Sequence, residues 1–217
     1  LNPTEILKGY LLSKIVENHP ENEDKAEEVN AFWAGRIQKI KSETESDSAD
    51  MEFFRAWLRG KYAESQRLKK SGSENEDFEI IGTQFHTWVK NNTKRLNLVH
   101  PEDYYYFIRS DFDFYSSLYL RLNHYKKHET QEYRNISINE HFTIADSLSY
   151  PLYLSPISKI DDETTISTKI RMVASFIDKY TNIRTLQNKT ISQSSIRNSV
   201  YELVKQTRNV TISDLQA

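Results

Sequence analysis

The sequence contains no cysteine among its 217 residues. That excludes a disulfide framework, a thiolate zinc site and a cysteine nucleophile, and it fits a reducing cytoplasm. Glycine and proline are also scarce, with five of each. β-Sandwiches and Gly-rich phosphate folds need more turn residues over this length. No apolar run approaches the roughly 20 residues of a membrane span. There is no Gly-x-x-x-x-Gly-Lys-Ser/Thr loop and no Gly-x-Gly-x-x-Gly, so the chain carries no phosphate cradle of its own. Nothing like Gly-x-Ser-x-Gly marks a nucleophile. Net charge is small, −2 with 28% charged residues. A protein dominated by nucleic-acid electrostatics would be more basic, although this balance leaves room for a local basic face.

What the sequence does have is aromatic side chains, 12% of the total, placed at helical spacing. A chain this long buries roughly 70% of its unfolded surface, so they imply a real core. The first stretch comes with its own start signal. Asn2 can cap the free N–H groups of a first turn, Pro3 suits the first helical position, and Glu5 faces the positive end of the dipole. Ile6, Tyr10 and Leu11, with Leu7 and Ile15 beside them, form the apolar stripe. Asn18-His19-Pro20 stops it. A second helix is predicted over about 22–40, with Val29, Phe32, Trp33, Ile37 and Ile40 on one face. The Ser- and acid-rich run from Lys41 to Asp50 then reads as a loop.

The third helix carries Phe53, Phe54, Trp57, Leu58 and Tyr62, with Arg55, Arg59 and Lys61 outward. A polar, Gly-containing stretch near 69–76 is the best candidate for an internal boundary. A fourth helix follows over about 76–91 with Phe78, Ile81, Phe85 and Trp88 in step. Pro101, Glu102 and Asp103 open a short helix to Ile108, and Ser110-Asp111 can cap the next, which repeats Tyr115, Leu118, Leu122 and Tyr125. Further helices are predicted over about 138–149, with Ile144 and Leu148 inward, and from Pro151 to Ile157. Asp161-Asp162-Glu163 introduces the cleanest amphipathic helix, with Ile166, Ile170, Val173, Ile177 and Tyr180. The last uses Ile196, Val200, Leu203 and Val204. The segments from Arg134 to Ile138 and from Asn209 to Leu215 are short enough to be extended pieces. The fold class is all-α: an irregular bundle of about eight or nine antiparallel helices in a single domain.

Candidate chemistry is sparse. His124 and His128 lie four residues apart, a spacing that puts two imidazoles on one helix face and can hold a metal. The Glu of a His-Glu-x-x-His motif is missing, since Tyr125 stands there, and solvated histidines near a helix end are the better account of the pair. His100, Asn123 and His124 supply the letters of an HNH nuclease without its strand pair. The acidic groups at Asp111 to Asp113 and at Asp161 to Glu163 could bind a hard cation, but both precede helices, where caps and dipole partners account for them. No residue is assigned a catalytic or metal-binding role. Two basic areas could read a duplex backbone. One comprises Arg55, Arg59, Lys61, Arg67, Lys69 and Lys70. The other comprises Lys169, Arg171, Lys179, Arg184, Lys189, Arg197, Lys205 and Arg208. Ordinary solvated helix faces look the same in sequence.

The opening residues also resemble a family. Leu1, Pro3, Thr4, Glu5, Lys8, Tyr10, Leu11 and Leu12 fit the pattern Leu-x-Pro-Thr-acid-x-x-Lys-x-Tyr-Leu-Leu. That pattern follows the Asn-x-Arg-Gly turn in the ParB-like half of GmrSD-type, modification-dependent restriction endonucleases of phage defence. Similarity continues through the runs at Phe53 to Ser65, Asp77 to Lys90, Phe112 to Leu122, Asp161 to Tyr180 and Ser194 to Arg208. The resemblance implies that the chain is a fragment of a larger protein, cut at Leu1, whose chemistry lies elsewhere. A nucleotide-dependent ParB-like core would precede it and an HNH-type nuclease would follow, with nucleotide and divalent metal used by those parts and no cofactor in this one. It implies a non-catalytic helical portion that supports the core and contacts DNA phosphates, with the remainder of its own chain and DNA as partners and no membrane. Lys8, one turn from Pro3-Thr4, would reach a nucleotide or phosphate at the junction; a surface lysine beside Glu5 is the plainer account. A helical module that only docks protein partners, with no nucleic-acid role, is the alternative reading.

Overall fold

Asn2 begins the first helix as its sequence dictates: its side-chain oxygen accepts the Thr4 backbone N–H at 2.9 Å, and Pro3 occupies the first helical position. The computed structural model describes residues 2–68, 70, 72–138 and 144–216, with Ser137 and Ile138 described as backbone only. It contains helices α1 (Pro3–Val16), α2 (Glu23–Thr44), α3 (Ala49–Lys61), α4 (Asp77–Asn91), α5 (Pro101–Tyr106) and α6 (Asp113–Lys127). These are followed by α7 (Arg134–Ile138), α8 (Asp146–Leu154), α9 (Glu163–Leu186), α10 (Gln193–Gln206) and α11 (Ile212–Gln216). No described residue lies in a strand. The protein is an all-α multi-helix bundle.

Contacts divide the chain into two units: residues 1–55 with 67–120, and residues 56–66 with 121–217. The 69–76 stretch falls within the sequence range of the first; Lys69 and Ser71 lie outside the described residues.

In the first unit, α1 packs on α2, α4 and α5. Its buried line is Leu7, Leu11 and Ile15, three residues of the predicted stripe, whereas Ile6 is exposed and Tyr10 half-buried. Val29, Trp33, Ile37 and Ile40 of α2 are buried as predicted. The helix outruns the Ser-rich signal and ends only at Thr44, because its i→i−4 ladder continues on good helix formers. The centre of the unit is aromatic. Phe54 stacks within 11–20° of Trp33, Phe85 and Phe112 at centroid distances of 5.3, 5.4 and 5.6 Å, and Phe53 meets Tyr119 at 5.5 Å. All of these rings are buried. Offset stacks of this kind contribute roughly 0.5–1.5 kcal/mol per pair beyond their area burial. At the rim, Asp77 accepts the Trp88 indole N–H at 2.7 Å and the Arg95 guanidinium at 2.6 Å.

Ser110 and Asp111 do not cap a new helix. The backbone passes from α5 to α6 through a π-helical turn, Phe107–Phe112, which holds Phe107, Ile108 and Phe112 inward. The wider turn accommodates one extra residue and removes the need for a break.

In the second unit, α8 packs on α9 and α10, and α7 and α11 pack on α9. Pro151 does not start a helix; it lies inside α8. Of the helix predicted over 138–149, Asp146 to Ser149 form the start of α8, Ile144 and Ala145 are not helical, Ile144 and Leu148 are buried as predicted, and residues 139–143 lie outside the described residues. The segments read as extended pieces, at Arg134–Ile138 and near Leu215, are the short helices α7 and α11. Gly60 of α3 is required by space, since an added Cβ would lie 3.0 Å from the Pro151 carbonyl oxygen and 3.3 Å from Leu154 Cβ.

Scarcity of glycine has a visible counterpart. Left-handed backbone occurs at Asn18, Asn97, Asn188 and Asn209, and at Glu45, with Gly72 the one glycine among the described residues that adopts it. Asn tolerates this region better than other residues with a Cβ, and Asn18, Glu45, Asn188 and Asn209 follow helix ends. At exposed Asn188, just past α9, Asn188→Ala should lower stability by about 1 kcal/mol, whereas Asn188→Gly should hold or raise it. Urea unfolding of the two variants checks both.

Candidate functional site

The most elaborate polar arrangement lies in the second unit, where helix ends leave carbonyl oxygens without intrahelical donors. Three cations supply the missing partners. Lys61 Nζ donates to the carbonyls of Ser155 and Ile157 at 3.0 and 2.7 Å, and to the Asn209 side chain. Lys169 Nζ donates to the Pro156 carbonyl at 2.9 Å and pairs with Asp161 at 2.6 Å. Arg208 reaches the carbonyls of Gly60 and Ala63 at 3.0 and 2.7 Å and pairs with Glu64. The segment after α8 is thus tied down at three successive carbonyls, and the negative end of α3 is covered by a guanidinium.

This geometry relocates much of the candidate nucleic-acid surface. Lys169 is 2% exposed and holds the half-buried carboxylate of Asp161. Arg59 is also buried, with its guanidinium over the Tyr201 ring, and Lys61 is buried, so neither points outward as the sequence suggested. Of the remaining candidates, Arg171 is exposed and lies 3.6 Å from Glu132. Arg184 donates to the Thr190 carbonyl at 2.6 Å. Arg55, Arg67 and Arg197 are half-buried, and Nε of both Arg55 and Arg197 meets no hydrogen-bond acceptor. Lys205 pairs with Glu202 at 2.9 Å. Lys8 pairs with Glu5 at 2.6 Å on α1.

The histidine pair is placed as its spacing requires, with the rings of His124 and His128 stacked at 4.3 Å. His128 Nδ1 lies 3.1 Å from the His124 carbonyl oxygen. Among the described residues no group of three or more His, Asp or Glu side chains is placed to hold a metal ion. The acidic groups are occupied. Asp113 pairs with Arg36, Asp161 with Lys169, and Asp162 caps α9 by accepting the Thr165 N–H at 2.7 Å. No helix of the described residues is long and apolar enough to cross a membrane.

Two features escaped the sequence reading. Arg121 joins Tyr125, Glu163 and Ser167 at 2.6, 2.5 and 2.8 Å, and Tyr125 stacks on Tyr133 at 3.8 Å. The other is a groove of about 680 Å³ beside α9, floored by Met172, Val173 and Phe176 with Leu203 and Leu215, and edged by Lys179 and Asp214. Leu203, expected inward, is a half-buried wall of this groove. Exposed Phe176, Ile183 and Leu186 extend its apolar character along α9.

Removing the partner of Lys169 by Asp161→Ala should cost about 3–5 kcal/mol in urea unfolding, because a buried cation loses its counter-charge. Lys61 supplies a pH dependence. Burial, then Arg208 and Lys169, pushes its ammonium down to about 7. Unfolded, it titrates near 10.4. Between about pH 7 and about pH 10 the unfolded chain therefore holds the extra proton, and stability should climb as pH rises through that window. Lys61→Met should remove this part of the climb, as read from unfolding midpoints against pH.

No family model matches the chain, and no curated protein or solved structure matches it significantly.

Proposed function

We propose that this chain is a non-catalytic helical portion of a GmrSD-like, ParB-like-domain restriction protein of phage defence, supporting a nucleotide-dependent core and touching duplex phosphates through its remaining exposed cations. The observation that carries the reading is the opening stretch from Pro3 to Leu12. Its resemblance to the family segment extends over residues whose local roles are physical: the Asn2 cap, the Pro3 start, and Lys8 on the first turns. The nucleotide, the divalent metal and the HNH-type nuclease belong, on this reading, to other parts of a longer cytoplasmic protein.

The alternative is a helical scaffold that docks proteins and has no nucleic-acid role. Its specific support is that Lys61, Lys169 and Arg208 are committed to internal carbonyls and carboxylates, which leaves fewer cations for phosphate.

The purified chain, incubated with plain and base-modified duplexes and magnesium, should cleave neither. It should be retained on both, with an affinity that falls with salt at a log–log slope of about −3, as for three or four phosphate contacts. Arg171→Glu with Arg184→Glu should flatten that slope. Cleavage by the chain itself, or salt-independent binding, would refute the proposal; no binding at all would favour the scaffold. A coding sequence with no Asn-x-Arg-Gly turn just upstream of Leu1 would count against the family assignment.

A further inference from the structure

In the first unit, the end of α1, the start of α2 and α5 enclose a hollow of about 250 Å³. Asn22, in the turn before α2, lines it and is 5% exposed. Its amide N–H donates to the Ile15 carbonyl at 3.1 Å, while its side-chain oxygen accepts from no described residue. Polar groups this deep are normally paired, so a free acceptor on the wall of a hollow points to a donor that enters from outside. The α5 side is aromatic. The rings of Tyr105 and Tyr106 stand at 83° with centroids 5.5 Å apart, and Tyr106 is 62% exposed. The Tyr105 hydroxyl donates to Glu28 at 3.3 Å. Glu102, exposed at the mouth, has no cationic partner among the described residues. Lys25 is the one cation among the described residues that line the hollow. Its charge is partly answered by Glu21, whose carboxyl is drawn below its usual range by the His19 hydrogen bond first and by Lys25 more weakly. The start of α5, which would repel a cation, is already covered, since Asp103 accepts the Val99 and His100 N–H groups at 3.0 and 2.7 Å.

We infer that this hollow receives the guanidinium of an arginine carried by a basic segment of a partner protein. A guanidinium is planar and brings five N–H donors, which suits an aromatic wall and separated oxygen acceptors better than an ammonium does. Asn22 takes one N–H at the base, Glu102 takes others at the mouth, and the plane lies against Tyr106. The volume is below the roughly 300–1,000 Å³ of sites for whole small molecules and suits a single side chain. A second hollow of about 250 Å³, edged by Glu17, Val99 and Tyr104, shares Pro101 with the first, so the backbone carrying the arginine has a surface to follow. The inference rests on neither reading of function, since the hollow uses none of the cations assigned to phosphate.

The full chain, titrated at low salt with acetyl-Gly-Ser-Arg-Ser-Gly-amide and followed by amide NMR, should shift the Asn22 side-chain amide and the backbone amides of Tyr105 and Tyr106. Saturation is expected on the order of 1 mM. The citrulline version of the peptide, which keeps the shape and drops the charge, should shift none of them. The lysine version should bind at least about threefold more weakly. Tyr106→Ala, at an exposed position that the fold tolerates, should weaken the arginine peptide at least about threefold, and so should Glu102→Lys. Glu27→Lys makes the same charge change about 160° around α2 from Lys25 and should leave binding unchanged. Shifts spread over the acidic surface instead of the hollow, an equal response to citrulline or lysine, or equal losses in Glu102→Lys and Glu27→Lys would overturn the assignment. Self-association of the chain that Tyr106→Ala abolishes would overturn it too, by giving this face to a second copy.

Discussion

A helix that ends inside a protein must find donors for its last carbonyls, and this constraint governs the second unit. Ser155 takes one from the backbone N–H of Asn209 at 2.9 Å, and the other donors are side chains. Lys61, Lys169 and Arg208 supply them, each a cation at or beyond the negative end of a helix. The positions of the three are coupled. Lys61 grips the segment after α8, Lys169 grips the next carbonyl of that segment, and Arg208 covers the end of the helix that presents Lys61. Buried positive charge is costly unless compensated, and the compensation is uneven: Lys169 pairs directly with Asp161, whereas Lys61 has three oxygen acceptors, the field of Asp161 and two cations nearby.

The first unit rests on a different material. Its centre is a stack of rings about Phe54, with polar groups such as Asp77 at the edge meeting an indole N–H and a guanidinium. Aromatic packing needs no charge compensation, and pairs such as Arg109–Glu28 and Arg36–Asp113 lie outside it, while the buried acids Asp50 and Asp77 each meet a cation, Lys41 and Arg95.

The fold class was legible because apolar periodicity survives in the structure. Val29, Trp33, Ile37 and Ile40, or Ile166, Ile170, Val173 and Ile177, are buried as their spacing requires. The errors have a common cause. Sequence rules treat charge as outward and Ser, Asp or Pro as stops. Lys169 and Arg59 are inward because helix ends and a ring await them, Pro151 stays inside α8, and Ser110-Asp111 are absorbed in a wide turn. No local pattern announces a distant carbonyl. The basic areas were therefore legible as composition but not as surface, since half-buried, paired and exposed cations share one alphabet. The exposed stripe on α9 was not read from the sequence, because Phe176 and Ile183 sit beside the stronger periodic row that is buried on the same helix.

The wide turn at Phe107–Phe112 acts as a phase shifter. A regular α-helix advances about 100° per residue, so erasing the one-residue surplus would swing everything beyond it by that angle. Tyr115 and Tyr119, now buried, would face sideways, while Tyr104 upstream kept its place. Two inward rows that disagree in angle are thus reconciled by a single misfit coil, and a one-residue deletion there would do more harm than any substitution of the residues it contains.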